Sequence, residues 1–273
     1  MANRLAVRTA KWIYRHTPWA ALRRRYFALF CRLVRHRSVV AAVGTLTFSL
    51  DLGELIDLSL YLGEYEHDTA AALARHCPPG SVVFDVGANV GAHTLALAER
   101  TGSGGRVYAF EPTEYAFGKL LRNLELNPQL QNVVASRVAL SDRNAEEEWE
   151  LRATWRPDGR HSSYRTRVEV ARLDDWCRRE GVARIDLIKL DVDGHEMAVL
   201  AGGAAMILAS LPAIVVEIGA YHFDSVDRNP LLFLRERGYE FFSIDGERPM
   251  DLPEIREACT GRDSVNLVAK VRR

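Results

Sequence analysis

Six consecutive residues, Asp191-Val192-Asp193-Gly194-His195-Glu196, set four ionisable side chains directly behind an apolar run, Ile185–Leu190. A hydroxyl is a poor nucleophile until its proton leaves, so a base held beside one would speed group transfer to oxygen. His195 suits that task, because the reference pKa of imidazole lies near neutrality. Asp191 and Asp193 share the segment. Asp191 would line the site, orient the histidine or cap the helix that follows. Further upstream, Asp85-Val86-Gly87-Ala88-Asn89-Val90-Gly91 closes a second apolar run, and Glu111 closes a third, Val107–Phe110. Glycines there let the backbone turn sharply and approach a ligand. The start of the next helix would offer free N–H groups and a positive dipole end.

Two cofactor classes use such a turn. A dinucleotide site needs G-x-G-x-x-G, and counted from Gly87 that pattern meets Asn89 and Ala92 where glycines belong. A nicotinamide oxidoreductase is therefore disfavoured. The turn that seats S-adenosylmethionine asks only for an acid followed by a glycine-rich bend. Asp85-x-Gly87-x-Asn89-x-Gly91 supplies both, with Asp85 placed to hold the ammonium end of the cofactor, directly or through water. Asn89 tolerates a left-handed backbone better than most residues with a side chain. Glu111, at the next strand end, would accept hydrogen bonds from ribose hydroxyls.

These residues need a frame. Apolar runs alternate with helical patterns from Gly80 onward. Strands are expected at Val82–Val86, Val107–Phe110, Val133–Leu140, Ile185–Leu190, Ala213–Ile218, Glu240–Ile244 and Val265–Val271. Helices are expected at His93–Arg100, Tyr115–Leu126, Glu196–Leu208 and Pro230–Arg237. That alternation predicts a doubly wound α/β fold, a parallel sheet covered on both faces, with ligands at the carboxyl ends of the strands. Residues 145–172 break the rhythm and read as an inserted hairpin or lid, with Trp149, Trp155, His161 and Tyr164 available to stack on an acceptor or to form a local core.

The phrases FDVGANVGAHT (84–94), VYAFEPTE (107–114), VALSD (138–142), LDDW (173–176) and IDLIKLDVDGHEMAVLAGG (185–203) resemble the FkbM family of methyltransferases. The resemblance extends over about residues 60–270 and includes Gly63-Glu64-Tyr65-Glu66. It implies a Rossmann-like class I methyltransferase sheet of seven strands, the last antiparallel, with S-adenosylmethionine as cofactor. It further implies O-methylation of a hydroxyl on a sugar, a glycan or a polyketide-type natural product. Carried over by position, Asp85, Gly87, Asn89 and Gly91 fall to the amino-acid end of the cofactor, Glu111 to the ribose, and Ser141 and Asp142 to the adenine edge. Glu66, Ala88, Pro112 and Asp191 join the cofactor-binding set. Where the family's wording is closer to D-V-E-G, this chain has Asp193, which keeps the charge and shortens its reach.

The chain has 36 basic and 36 acidic residues among 273, but they are unevenly placed. Residues 1–50 hold ten of the basic residues and no acid, which leaves 26 basic against 36 acidic beyond them. Residues 1–62 read as a basic helical extension with short strands, and 63–273 as the methyltransferase domain. Within 4–37, an aromatic and apolar face opposes arginines, a pattern suited to packing on the domain or to an anionic membrane surface. A nucleic-acid partner is not expected, because basics and aromatics fall on different faces. Four scattered cysteines without a C-x-x-C suit a reducing compartment. Arginines interrupt any signal-peptide core, and no apolar stretch reaches about 20 residues, so a cytoplasmic protein is expected, with possible peripheral contact at the inner membrane surface. No metal is assigned, although Asp191, Asp193 and Glu217 carry the oxygens a hard cation takes. A binding module that keeps the fold without turnover stays open as an alternative.

Overall fold

The computed structural model describes residues 34, 37–155, 161–245, 248–260 and 264–271. The helices expected within 4–37 lie outside the described residues, apart from Val34 and Arg37, as do the side chains of Trp155 and His161. The described residues divide into two compact units: those up to Tyr65 together with Glu150–Tyr164, and Glu66–Trp149 with the remainder from Arg165.

In the first unit, Gly44 turns the chain at φ +63° between β1 (Ser38–Val43) and β2 (Leu46–Asp51), which pair antiparallel with Val43 opposite Leu46. A left-handed glycine suits so tight a hairpin. Helix α1 (Leu55–Leu62) follows, and its buried Asp57 accepts the Asp51 N–H at 2.6 Å.

The second unit runs through α2 (His67–His76), β3 (Val82–Val86), α3 (Ala92–Thr101), β4 (Arg106–Phe110), α4 (Glu114–Glu125), β5 (Val133–Ser136) and β6 (Val138–Ser141). Strands β7 (Ala145–Trp155) and β8 (His161–Arg172) are divided between the two units. Then come α5 (Leu173–Glu180), β9 (Leu187–Leu190), α6 (Glu196–Gly202), α7 (Ala204–Ser210), β10 (Ala213–Gly219) and α8 (Pro230–Arg235). The chain ends with β11 (Tyr239–Ser243), β12 (Pro249–Met250), α9 (Leu252–Thr260) and β13 (Ser264–Val271).

The main sheet has the order β12-β11-β13-β10-β9-β3-β4-β5. Strands β3, β4, β5, β9 and β10 are parallel, and β13 runs antiparallel between β10 and β11. The seven expected strands are thus joined by an eighth, the two-residue edge strand β12. From β3 the chain first builds outward through β4 and β5, then returns to lay β9 on the other side. The reversal puts a crevice at the carboxyl ends of β3 and β9.

Alternation along the strands sends successive side chains to opposite faces. Phe84, Val86, Ile188, Leu190, Ile214 and Val216 belong to one buried cluster. Val83, Leu187, Val215 and Val268 belong to another, with Leu73 of α2 and Leu97 of α3. Trp176 of α5, 2% exposed, meets Phe84, Tyr108 and Phe110 edge-on at centroid distances of 5.7, 5.3 and 4.7 Å.

Two expected elements are divided. The run read as one strand, Val133–Leu140, breaks at the exposed Arg137: β5 stays at the edge of the main sheet, while β6 pairs parallel with β8. The helix read as Glu196–Leu208 breaks at Gly203, because the Asp174 carboxylate caps a new start, accepting the N–H groups of Ala205 at 3.2 Å and Met206 at 2.9 Å. The expected insert is a longer pair of strands than its apolar patches suggested, in a three-stranded sheet ordered β6-β8-β7.

Candidate active site

At the crevice, the register sets Asp85 of β3 beside Lys189 of β9. Lys189 is 4% exposed, and its Nζ stands 2.8 Å from the Gly87 carbonyl oxygen, 3.1 Å from Asp191 Oδ2 and 3.7 Å from Asp85 Oδ1. Asp85 is fully buried, and its Oδ2 accepts the Thr94 hydroxyl at 2.6 Å. Its Oδ1 takes no hydrogen bond among the described residues. A lone cation thus bridges two strand ends and the first glycine of the turn. Lys189 is not among the residues expected at the site, although a lysine inside the run Ile185–Leu190 is a signal in itself: a buried ammonium needs anionic partners.

The turn after β3 is held from behind. Gly87 and Ala88 both donate their N–H groups to the Phe110 carbonyl, at 3.0 and 2.9 Å. Gly87 has φ +82°, and a Cβ there would overlap the Asp191 carbonyl oxygen. Gly91, at φ +87°, has Leu120 and Leu95 where a side chain would go. Asn89 adopts φ +49° and donates its N–H to Glu111 Oε2 at 2.9 Å. Glu111 Oε1 accepts the N–H and hydroxyl of Thr113, at 2.8 and 2.6 Å, across the half-buried Pro112. Burial pushes the Glu111 carboxyl above its ordinary value, and the donors from Thr113 and Asn89 offset only part of that. The second-strand acid and the glycine turn therefore form one hydrogen-bonded unit. Ser141 is buried at the end of β6 and Asp142 is exposed, with Ser141 Oγ 3.2 Å from Asp142 Oδ1. Gly202 of α6 packs on the Ser141 carbonyl so closely that a Cβ would overlap it.

Further carboxylates gather nearby. Glu66 precedes α2 with φ +37° and lies 3.0 Å from His93 Nε2 of α3. Burial raises its pKa, but the His93 hydrogen bond and the charges of His93 and Lys189 outweigh this and hold it low. Asp191, a third exposed, is likewise pushed up by burial and pulled down further by Lys189. Its hydrogen-bonded neighbour Glu217, on β10, is pushed up to about 8 by burial and the Asp191 charge. Ser264 Oγ also donates to Glu217, at 2.5 Å. Burial and the Asp191 charge thus favour the protonated form of Glu217.

The sign of the consequence follows from linkage. A carboxyl whose folded pKa is raised contributes stability below its ordinary value, and that contribution is lost as pH rises through about 8. Glu217→Gln is expected to flatten the fall of Tm between about pH 5 and pH 9 relative to the parent. Equal slopes in the two proteins would mean that Glu217 is already ionised.

The turn after β9 carries Asp193 at φ +50° and Gly194 at φ +102°. His195 precedes the first residue of α6, is exposed, and lies edge-to-face with Trp149 of β7 at 4.9 Å between centroids. Trp149 Nε1 donates to Glu147 at 2.7 Å. Of the residues at the β10 exit, Tyr221 is 44% exposed, whereas His222 is buried against Glu196. Glu196 stands in the first turn of α6 and is fully buried. The expected residues thus come together at one crevice from β3, β4 and β9. Ser141 ends β6 and Asp142 follows it, outside the main sheet. Among the described residues, no three His, Cys, Asp or Glu side chains are grouped to hold a metal ion, and no helix is long and apolar enough to cross a membrane.

The model of the FkbM methyltransferase domain matches residues 85–241, more than half of the chain. The chain belongs to the FkbM methyltransferase family. A 2-O-methyltransferase, NoeI of Sinorhizobium fredii, is 32% identical over 145 residues, covering 46% of this chain and 58% of its own length. The hexuronic acid methyltransferase AglP of Haloferax volcanii is 27% identical over 161 residues, covering 57% and 63%. The 31-O-demethyl-FK506 methyltransferase FkbM of Streptomyces tacrolimicus is 33% identical over 165 residues, covering 45% and 60%. The chain spans about three fifths of the length of these curated relatives. The matched region takes in the glycine turn, Glu111, Lys189 and the turn after β9.

Proposed function

We propose that this chain transfers a methyl group from S-adenosylmethionine to a hydroxyl oxygen on a sugar, glycan or polyketide-type acceptor. The observation that carries the reading is the hydrogen-bonded unit of Gly87, Ala88, Asn89 and Glu111 at the sheet's reversal, beside the carboxylates of Asp191 and Glu66. This donor set fits a nucleoside with a cationic amino-acid tail. Its acids would attract an ammonium and accept ribose hydroxyls, and they would repel the pyrophosphate of a dinucleotide. Two of the relatives, by name a 2-O-methyltransferase and a 31-O-demethyl-FK506 methyltransferase, support oxygen as the target, and the hexuronic acid methyltransferase supports a sugar acceptor.

Glu66, Asp85, Gly87, Ala88, Asn89, Gly91 and Asp191 would hold the amino-acid end. In that set Asp85 acts through Lys189 and Thr94, since it is fully buried. Glu111 and Pro112 would hold the ribose, and Ser141 and Asp142 the adenine edge. When bound, the cofactor supplies an electrophilic methyl group on sulfur. His195 would take the proton of the acceptor's hydroxyl, leaving the oxygen free to accept that methyl group. Asp191 and Asp193 flank it on the same turn, and Trp149 offers an aromatic surface beside it. Holding acceptor and methyl carbon in line supplies much of the acceleration.

Calorimetric titration with S-adenosylhomocysteine, run beside NADH, tests the cofactor. Micromolar binding of the former alone, lost in an Asp85→Ala/Glu111→Ala variant, is expected. Preference for NADH, or no binding of either, overturns the reading. With labelled cofactor and a panel of hydroxylated glycosides, His195→Ala is expected to lower turnover by about 10²- to 10⁴-fold and to leave S-adenosylhomocysteine affinity unchanged. Turnover within a few-fold of the parent would remove His195 from the base role. A cytoplasmic place of action, with residues 1–37 against an anionic membrane, is tested by flotation with anionic vesicles.

A further inference from the structure

We propose that Glu196 and His222 are positioning residues that lock the Asp191–His195 turn into its working shape, with His222 acting through Glu196. What the turn does rests on the methyltransferase reading above; the lock itself rests on hydrogen bonds alone. Glu196 Oε1 accepts the N–H of Val192 at 3.0 Å and that of Gly194 at 3.4 Å. Glu196 Oε2 stands 2.8 Å from His222 Nε2. On its other side, His222 Nδ1 accepts the Gly219 N–H at 3.1 Å. A ring nitrogen that accepts carries no proton, so the proton of the neutral ring sits on Nε2 and points at Glu196. The backbone of β10 thereby fixes the tautomer, and the tautomer fixes the carboxylate that grips the turn after β9.

The turn has a reason to be gripped. Asp193 and Gly194 both have positive φ, +50° and +102°, and L-residues rarely adopt the first of these unaided. Asp191, Asp193 and His195 all project from this segment, so their directions follow from its backbone. Glu196 and His222 are 0% and 2% exposed. A carboxylate buried that completely is costly unless every oxygen is bonded, and here both are, two of the three contacts being to the turn itself. An apolar pair would fill the same space without gripping anything.

Two substitutions separate the lock from packing. His222→Gln can keep a donor near the Nε2 position, facing Glu196. His222→Asn can keep an acceptor for Gly219 and loses the donor to Glu196. Hydrogen exchange read amide by amide by NMR is expected to quicken about tenfold or more at Val192 and Gly194 in His222→Asn, with β9 amides unchanged, and to return to the parent rate in His222→Gln. Unchanged exchange in His222→Asn overturns the proposal. So does equal quickening in both variants, or quickening that spreads through β9, since each would mean that the ring serves packing. S-adenosylhomocysteine titration of the same samples keeps the two readings apart. Failure of the parent to bind it would remove the methyltransferase reading and leave the exchange result standing.

Discussion

Lys189→Met is expected to cost about 3–5 kcal/mol of stability at pH 7, the range found when one partner of a buried ion pair is removed. Methionine keeps most of the stem and deletes the charge. What remains is a fully buried Asp85, an Asp191 without its nearest cation, and a Gly87 carbonyl without its donor. The loss should depend on pH in a definite direction. In the parent, Lys189 holds Asp191 below its ordinary value, so that contribution is present above the ordinary carboxylate range and is lost as pH falls through the lowered value. In the variant, burial acts on Asp191 without that opposition, which favours the protonated form. The deficit should therefore be largest near neutrality and shrink towards about pH 4.5. Urea unfolding at the two pH values reads it directly. Equal deficits at both would mean that Lys189 matters for packing and not for charge. A Lys189→Met/Asp85→Asn variant should recover part of the loss, because it removes a buried charge that had been left alone.

The parts of this site that could be read from the sequence are those where local chemistry dictates local shape. Gly87, Asn89 and Gly91 announce a turn with positive φ, and the turn is there at all three. Glu111 was placed by its distance from that turn, and the spacing holds because β3 and β4 pair in register, Val86 opposite Phe110. Lys189, His93 and the true partners of Glu196 were not legible in the same way. A lysine between Ile188 and Leu190 reads, like Asp186 before it, as a polar letter in a mostly apolar word until the pairing with Asp85 is known. Glu196 begins a helix, and nothing local says that its carboxylate bonds back to Val192 and Gly194 while meeting a histidine from the turn after β10.

The same limit explains the two divided elements. Val133–Leu140 is apolar throughout but for Ser136 and Arg137, and apolarity cannot say which of two sheets each half joins. The break before Ala204 depends on the cap from Asp174, 32 residues before Met206 in the chain, and on the room that Gly202 leaves for the Ser141 carbonyl. Periodicity speaks for the face a residue shows. It is silent on partners brought in by topology.

Gly87→Ala should weaken cofactor binding strongly, and Gly181→Ala should not, although both replace a glycine with positive φ. At Gly181, which follows α5 in the left-handed conformation, φ is +69° and nothing lies within 4 Å of a new Cβ. That variant meets only left-handed strain, about 1–2 kcal/mol. At Gly87, φ is +82° and the new Cβ would overlap the Asp191 carbonyl oxygen, which is backbone and cannot swing aside as a side chain can. Either the turn lifts off β9 or the Asp191 turn moves away, and Lys189 loses its distance to the Gly87 carbonyl in both cases. About 3 kcal/mol or more of stability should go with it. S-adenosylhomocysteine affinity should fall by about a hundredfold or more, which corresponds to roughly 2.7 kcal/mol of binding free energy. Calorimetry and thermal unfolding on the pair decide the matter. If the two variants lose the same stability and both still bind, then the close approach of β3 and β9 is not what shapes the cofactor turn, and positive φ alone explains the glycine.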